Sequence, residues 1–183
     1  MRYLILFIFY SVSFTQNISF YEKEGEPFCD IRLDNFTFHC RVSGMDNSKV
    51  GVILLHGFPE TSRMWYDLIK ILSENNYRVI APDQRGYSRE ARPLKVEDYV
   101  IDLLAQDIID IADVFEVESF HLIGHDWGSA VGWFLASNKN ERLLSWTALS
   151  VPHLDAFTDA MKNDEVQRKK SRYISIFKKR FLP

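Results

Sequence analysis

The stretch Gly124-His125-Asp126-Trp127-Gly128 decides the fold of this chain. It follows a short apolar run at residues 120–123 and precedes a helix-like run at residues 129–136. A strand, a tight turn between two glycines and a helix together form a nucleophile elbow, which exposes the side chain of the central residue. We therefore interpret Asp126 as a nucleophile rather than as a helix N-cap, which is the other common role of an aspartate before a helix.

An aspartate at this turn supports a different chemistry from that of a serine. A carboxylate is ionised at neutral pH, so it can attack an electrophilic sp³ carbon directly and form an ester. Hydrolysis of that ester requires a general base, usually histidine. Turns of this kind stabilise the oxyanion with two backbone N–H groups, which here belong to Phe58 and Trp127. The side chains of these two residues have plain packing as the alternative role.

The other polar residues near these motifs are interpreted as structural. We expect His56 to brace its loop, and we expect His121 and His125 to be structural as well. Asp83 and Arg85 should fix their loop by ion pairing. No cluster of His, Cys, Asp or Glu in the sequence has the spacing of metal ligands, and no nucleotide-binding loop is present. The sequence therefore predicts neither a metal nor a cofactor.

Apolar strands and amphipathic helices alternate along the chain. A continuous apolar run such as Lys49 to Leu55 is typical of a strand that is buried on both faces. Further strands are predicted at residues 77–81, 119–123 and 143–149. Two helices are also predicted. The first is capped by Thr61 and ends at Asn75-Asn76, and the second is a long helix at 96–115 whose inner side carries Val100, Leu103, Leu104, Ile108 and Ile111. The alternation predicts an α/β fold with a mostly parallel sheet and helices on both faces.

Four motifs of the chain resemble those of the epoxide hydrolases of the α/β-hydrolase superfamily. They are His56-Gly57-Phe58-Pro59-Glu60, Asp83-Gln84-Arg85-Gly86-Tyr87, Gly124-His125-Asp126-Trp127-Gly128 and Val151-Pro152-His153. Their order and spacing also match, and the likeness covers roughly residues 28–183. The resemblance implies an α/β-hydrolase fold with Asp126 as the alkylated nucleophile. It also implies that a small apolar epoxide is opened with water to a vicinal diol.

The sequence predicts a division into three parts. The composition of residues 1–20 predicts a signal peptide or N-terminal anchor. The resemblance implies that residues 21–152 form the N-terminal part of the hydrolase core and residues 153–183 the beginning of a helical cap domain. Residues 167–177 resemble the first part of the family's cap. Tyr173 is similar in position to the first of two cap tyrosines that donate hydrogen bonds to the epoxide oxygen. An aromatic residue on the core face of a helix is the alternative interpretation of Tyr173.

Three departures from the family's pattern are visible. Ser88 stands where a second glycine is usual, and Leu154 stands where a proline is usual. The chain ends at Pro183 and no histidine follows His153, so the family's second cap tyrosine, last strands, acidic partner and catalytic histidine would lie beyond it. We expect an incomplete form that can be alkylated but lacks the histidine base needed for turnover.

Two alternative functions remain open from the sequence. Haloalkane and haloacid dehalogenases use the same aspartate chemistry, but the former usually carry asparagine in place of Phe58 and the latter usually carry arginine in place of Trp127. A secreted, non-catalytic fragment that binds a lipid-like ligand is the other alternative, and its support is the missing base.

The N-terminus has the features of a secretory signal. Arg2 precedes an apolar run at residues 3–14, which is shorter than the ~20 residues of a membrane-spanning helix. Glycosylation sequons begin at Asn17 and Asn35. We expect a protein of the secretory pathway, either secreted or in the lumen of the endoplasmic reticulum. Membrane association through residues 3–14 is the alternative.

Two cysteines fall within a predicted β-hairpin at residues 27–44. Asp34-Asn35 has the composition of a two-residue turn. In that register Cys29 faces Cys40, at a Cα separation that a disulfide tolerates. A bridge and two free thiols both remain open.

The tail predicts two further helices. The first covers Leu154 to Lys162, and Asp164 with Gln167 resembles the capping box of the second. The second helix would group Val166, Tyr173, Ile174 and Phe177 and would carry seven basic residues, which we interpret as a solvated face. The whole chain has a formal net charge of −3, so nothing suggests a nucleic-acid partner.

Overall fold

The fold is built around a mixed sheet whose strand order is β1-β2-β3-β5-β4-β6-β7 in the described residues. The computed structural model describes residues 17–47, 50–138 and 140–181. The strands are β1 (Ile18–Lys23), β2 (Glu26–Leu33), β3 (Phe36–Ser43), β4 (Gly51–Leu55), β5 (Arg78–Pro82), β6 (Phe120–His125) and β7 (Leu143–Leu149). The last four strands run parallel, whereas β1 to β3 form an antiparallel meander that joins β5.

Helices cover both faces of this sheet, as the sequence predicted. α1 (Tyr66–Glu74) covers one face, and α2 (Ile101–Val114) and α3 (Trp127–Asn138) cover the other. The remaining helices follow β7 in the tail: α4 (Leu154–Asn163), α5 (Glu165–Lys170) and α6 (Arg172–Phe181). Successive side chains of a strand point to opposite faces. Val52 and Leu54 of β4 therefore belong to a core with Ile69 of α1, whereas Ile53 and Leu55 belong to a core with residues of α2 and α3. This double burial explains the continuous apolar run of β4.

The first helical segment begins and ends where the sequence predicted. Thr61 accepts a hydrogen bond from the backbone N–H of Arg63 and so caps a short 3₁₀ turn, Ser62–Trp65, that leads into α1. Asn75 follows the last residue of α1, and Asn76 has a positive φ of 67°. Asparagine tolerates this left-handed conformation better than most residues, so the pair of asparagines ends the helix.

The prediction for the long helix at 96–115 is partly wrong. Val100 has an extended backbone (φ −66°, ψ 147°) and separates a 3₁₀ turn, Val96–Tyr99, from α2. Val100 at the break and Leu103 in the first turn of α2 are exposed rather than internal. Leu104 packs against the core, and Ile108 and Ile111 are buried as expected. The inward face of α2 was therefore predicted correctly, whereas its first residue was placed too early.

The hairpin has the predicted register, and its two cysteines are free. Asp34 and Asn35 form the turn between β2 and β3, and Cys29 pairs directly with Cys40. Both thiols are buried and unbridged, and burial raises the pKa of the Cys40 thiol well above its usual value. The sequence missed β1, which pairs antiparallel with β2 and whose first three residues fall within the segment assigned to a signal peptide.

The tail forms three helices instead of the two expected. α4 agrees with the prediction, but Ser171 separates α5 from α6. Only half of the predicted capping box is present. The Asp164 side chain accepts hydrogen bonds from the N–H groups of Val166 and Gln167, but the Gln167 amide turns to the Ser171 hydroxyl at 2.8 Å. Because that hydroxyl is buried, the contact fixes the junction of the two short helices.

The N-terminal predictions fall on residues that the structure does not describe. The apolar run at 3–14 precedes Asn17, the first described residue, so the signal and the membrane anchor stay predictions. In the described part of the chain, no helix has the length and apolar character needed to span a bilayer.

Candidate active site

The central aspartate lies in a sharp turn between β6 and α3. β6 ends at His125 and α3 begins at Trp127, so Asp126 is the single residue between them, and its φ is 51°. This left-handed conformation is unfavourable for an L-residue and occurs often at functional sites. The Asp126 N–H donates to the Leu149 carbonyl at 3.2 Å, and its carbonyl accepts from the Ser129 N–H at 2.9 Å. These bonds hold the turn between two strand ends and a helix start.

Glycines let three chain segments approach Asp126 closely. A Cβ atom on Gly128 would lie 2.3 Å from the Leu55 carbonyl oxygen at the end of β4. A Cβ atom on Gly57 would lie 2.3 Å from the Cβ of Asp126. Both distances are far below van der Waals contact. Glycine at these positions is therefore a packing requirement of the turn.

The carboxylate of Asp126 receives a backbone hydrogen bond from the neighbouring loop. The Phe58 N–H donates to Asp126 Oδ1 at 2.9 Å. Trp127 is the first residue of α3, and the N–H groups of a helix's first turn have no acceptor within the helix. The positive end of the helix dipole also favours a negative charge here. The carboxylate thus contacts the first of the two backbone groups predicted as oxyanion donors, and the Trp127 N–H stays a predicted donor.

The three predicted site side chains are all largely exposed. The Phe58 and Trp127 side chains are 49% and 63% exposed, so neither is plain core packing. Tyr173 lies on α6 and is 55% exposed. Its role as a donor to an epoxide oxygen stays a prediction.

His56 braces its loop, in agreement with the sequence-based interpretation. The residue is fully buried. Its Nδ1 lies 3.0 Å from the Gly57 carbonyl, and its Nε2 accepts from the Gln84 backbone N–H at 3.1 Å. Burial lowers the pKa of the imidazole, although the hydrogen bond with Gly57 opposes this effect. A ring that donates from one nitrogen and accepts at the other is neutral, so His56 serves as a structural link.

The loop after β5 is held by one buried ion pair. Arg85 makes two hydrogen bonds to the Asp107 carboxylate, at 2.8 and 2.6 Å. Burial raises the pKa of Asp107, while Arg85 opposes this shift. The ion-pair prediction is thus confirmed for Arg85 and is wrong for Asp83. The Asp83 carboxylate accepts instead from the Ser62 backbone N–H at 2.7 Å, because the start of the 3₁₀ turn lies beside it.

Two serines that the sequence reasoning did not assign hold the strand ends. Ser129 is fully buried; its hydroxyl lies 2.6 Å from the Gly124 carbonyl and 2.9 Å from the Leu149 carbonyl, and it accepts from the Leu149 N–H at 3.2 Å. The Ser88 hydroxyl donates to the Asp83 carbonyl at 2.5 Å and accepts from the His39 N–H at 2.9 Å. The departure from glycine at position 88 therefore adds a link between the loop and β3. A hydroxyl within the apolar run after the turn was the available signal for Ser129.

Three of the remaining four histidines contact structural partners. His121 Nδ1 lies 2.7 Å from the Ser145 hydroxyl, and His153 caps α4 by accepting from the Asp155 N–H at 3.3 Å. His39 Nδ1 lies 2.5 Å from the Tyr21 hydroxyl. His125 has a buried Nδ1 with no hydrogen-bond partner among the described residues. Within the described ranges no group of three or more His, Cys, Asp or Glu residues could hold a metal ion.

The fold and the turn are those of a large family of hydrolases. A family model described as alpha/beta hydrolase fold matches residues 51–172. The chain belongs to this family. Comparison with individual relatives and solved structures shows which members of the family the chain is similar to.

Curated relatives and solved structures include epoxide hydrolases. The AB hydrolase superfamily protein YfhM of Bacillus subtilis is 39% identical over 153 residues, which cover 84% of this chain and 53% of the relative. Epoxide hydrolase 4 of Homo sapiens is 35% identical over 158 residues, or 85% and 43% of the two chains. A solved epoxide hydrolase from metagenomes of hot environments is similar with a TM-score of 0.76 at 35% identity, over 82% of this chain and 50% of the other. The chain thus spans about half the length of the relatives it matches.

Proposed function

We propose that this site opens epoxides through an ester on Asp126. One carboxylate oxygen attacks an epoxide carbon and forms a C–O bond, the ring C–O bond breaks, and the alkoxide takes up a proton to leave a hydroxy-alkyl ester. The hydrogen bond of 2.9 Å from the Phe58 N–H to Asp126 Oδ1 carries this proposal. It orients the carboxylate through one oxygen, so Oδ2 is the oxygen that attacks.

The same donors would serve the second step. Water attacks the carbonyl carbon of the ester, and the negative charge develops on Oδ1. The Phe58 N–H already contacts this oxygen, and the Trp127 N–H at the start of α3 is the second proposed donor. Donors that are in place before charge develops need no reorganisation during the reaction. Collapse of the intermediate releases a vicinal diol and regenerates Asp126.

We propose that the 183-residue chain supports the first step without the second. The sequence has five histidines, and a general base must reach the attacking water. Both ring nitrogens of His56 are engaged, Nδ1 of His125 is buried away from solvent, and His39, His121 and His153 have the contacts described above. Proton donation to the epoxide oxygen is assigned to Tyr173, on the strength of the family resemblance alone.

Covalent capture tests this function directly. The full chain is incubated with styrene oxide at neutral pH, and its intact mass is followed together with the diol concentration. We expect one adduct per chain, located by peptide mapping at Asp126, and no accumulation of diol. Asp126→Asn should abolish the adduct because an uncharged amide is a poor nucleophile.

A second exposed carboxylate provides the matched control. Asp155, at the start of α4, has a side chain that is 97% exposed, and Asp155→Asn should leave labelling unchanged. An adduct that survives in Asp126→Asn would refute the proposal. Halide release from an alkyl halide without epoxide labelling would favour a dehalogenase. Ligand binding without any adduct, unaffected by Asp126→Asn, would favour a non-catalytic binding protein.

A further inference from the structure

We infer that the side-chain amide of Gln84 positions the Phe58 N–H against Asp126, an inference that rests on the proposed function. Gln84 lies in the loop after β5, and His56 lies in the loop after β4. Two hydrogen bonds join these loops. The Gln84 side-chain Nε2 donates to the His56 carbonyl at 2.6 Å, and the Gln84 backbone N–H donates to His56 Nε2 at 3.1 Å. We call this pair of bonds the Gln84 latch.

The latch acts on the part of the loop that sets the direction of the Phe58 N–H. Only Gly57 separates His56 from Phe58, so rotation of the His56 carbonyl turns the peptide plane that leads to the donor. Within the loop, the Gly57 carbonyl is held by the Glu60 N–H at 2.9 Å and by His56 Nδ1 at 3.0 Å. The His56 carbonyl, at the start of the loop, is held from outside by the Gln84 amide.

The two bonds of the latch differ in what they require of residue 84. The backbone N–H is present in every residue except proline, so the contact with the His56 ring survives most substitutions. The contact with the His56 carbonyl needs a side-chain donor of suitable length. Gln84→Met keeps the length and flexibility of the side chain and removes only that donor.

Asn47 offers a matched control at the other end of strand β5. Its side-chain amide also donates to backbone carbonyls, those of Ser73 at 2.9 Å and Tyr77 at 3.1 Å. Asn47→Leu therefore removes the same kind of contact before β5 instead of after it. A general loss of stability would affect both variants, whereas a positioning effect would affect only Gln84→Met.

The first measurement is the rate at which styrene oxide labels Asp126 in the full chain. We expect Gln84→Met to lower the rate at saturating epoxide by about tenfold, since small displacements of catalytic groups have effects of this order or larger. The epoxide concentration that gives half the maximal rate should stay within about twofold. Asn47→Leu should keep both parameters within about twofold. Equal rates for the two variants would overturn the inference.

A second variant gives a readout that a purely structural role would not produce. Gln84→Glu keeps the shape of the side chain and can donate to the His56 carbonyl only when its carboxyl is protonated. The ratio of its labelling rate to that of the original chain should fall as pH rises through the carboxyl pKa, ordinarily about 4.3. Taking the ratio cancels the ionisation of Asp126 itself. A ratio that is independent of pH would contradict the latch.

Hydrogen exchange of the Phe58 amide separates this inference from the proposed function. We expect exchange about tenfold faster in Gln84→Met and unchanged in Asn47→Leu, because loss of the latch loosens the Phe58 bond to Asp126. If the original chain takes no epoxide label, the proposed function fails while this measurement still tests the latch. Unchanged exchange in Gln84→Met would rule the latch out even if Asp126 is labelled.

Discussion

Asp126 adopts a φ of 51°, and this one backbone angle accounts for much of the local architecture. A left-handed residue costs about 1–3 kcal/mol, so surrounding bonds must hold it there. The Leu149 carbonyl, the Ser129 N–H and the Phe58 N–H all bond to Asp126. All three partners are backbone groups, so the turn is secured by the end of β7, by the loop after β4 and by the start of α3.

The Ser129 hydroxyl should contribute measurably to stability. It satisfies buried groups of Gly124 and Leu149, and removing one partner of a buried hydrogen bond costs about 1–3 kcal/mol. We predict that Ser129→Ala lowers the free energy of unfolding in urea by that amount. Ser137 lies on the same helix, is exposed and bonds only within the helix, so Ser137→Ala should change stability by less than about 0.5 kcal/mol. Similar values for both variants would contradict this prediction.

His56 should make stability depend on pH. Burial lowers its pKa in the folded chain, so the unfolded chain binds a proton on this residue at a higher pH than the folded chain does. The stability that the neutral ring provides is therefore complete above the ordinary histidine pKa of about 6.5 and is lost as pH falls below it, by at most about 1.4 kcal/mol per pH unit. Urea unfolding at pH 7.5, 6.5 and 5.5 should show a steeper decline for the original chain than for His56→Gln. Parallel declines would assign the effect to other groups.

The position of Asp126 in a strand–helix turn could be predicted from the sequence, whereas the hydrogen-bond partners of Gln84 and Ser129 could not. The glycine spacing around Asp126 is a local signal, and the chemistry of a carboxylate follows from residue type. The contacts of Gln84 and Ser129 join residues that are 28 and 20 positions apart. Their acceptors are backbone carbonyls, which every residue has, so no residue type in the sequence marks the partner.

At the scale of elements, α3 packs tightly against β7 through a glycine. A Cβ atom on Gly132 would lie 2.1 Å from the indole ring of Trp146. The ring itself packs edge-on against Trp133, with centroids 5.8 Å apart, which limits its freedom to move. The distance between α3 and β7 is therefore set by the Trp146 ring, which packs directly on the α3 backbone at Gly132.

This contact predicts an unusual sign for a glycine-to-alanine change in a helix. Alanine normally stabilises a helix interior by about 0.5–1 kcal/mol relative to glycine, but overpacking costs about 1–3 kcal/mol. We predict that Gly132→Ala lowers the free energy of unfolding. In a Trp146→Leu background, where the smaller side chain leaves room, the same change should be neutral or stabilising. Destabilisation of equal size in both backgrounds would contradict the packing argument.

Element boundaries were predictable wherever the local signal was strong. The strand at 143–149 and the turn at Asp34-Asn35 agree with the structure because apolar patterning and turn residues act locally. β1 was missed because its residues Ile18–Lys23 are largely exposed at the sheet edge and show little periodicity. The start of α2 was placed too early because the break at Val100 has no glycine or proline to mark it.

At the scale of the whole molecule, the site is assembled from four adjacent strands. Hydrogen bonds pass from Gln84 after β5 to His56 after β4, from Phe58 to Asp126 after β6, and from Asp126 to Leu149 at the end of β7. The carboxyl ends of parallel strands meet at one edge of a sheet, where ligands bind in folds of this class. The strand–helix alternation allowed the α/β class to be predicted, but the strand order β5-β4-β6-β7 follows from pairings that are distant in sequence.

The side chains and the backbones of Phe58 and Trp127 have different roles in the proposed function. Phe58 and Trp127 are assigned the reaction through their amide groups, while their side chains lie at the surface. Under the proposed function, replacing either ring by one of another size or polarity would alter which molecules reach Asp126 and would leave the two backbone donors in place. Catalysis and substrate preference would then reside at the same two positions but in separate atoms.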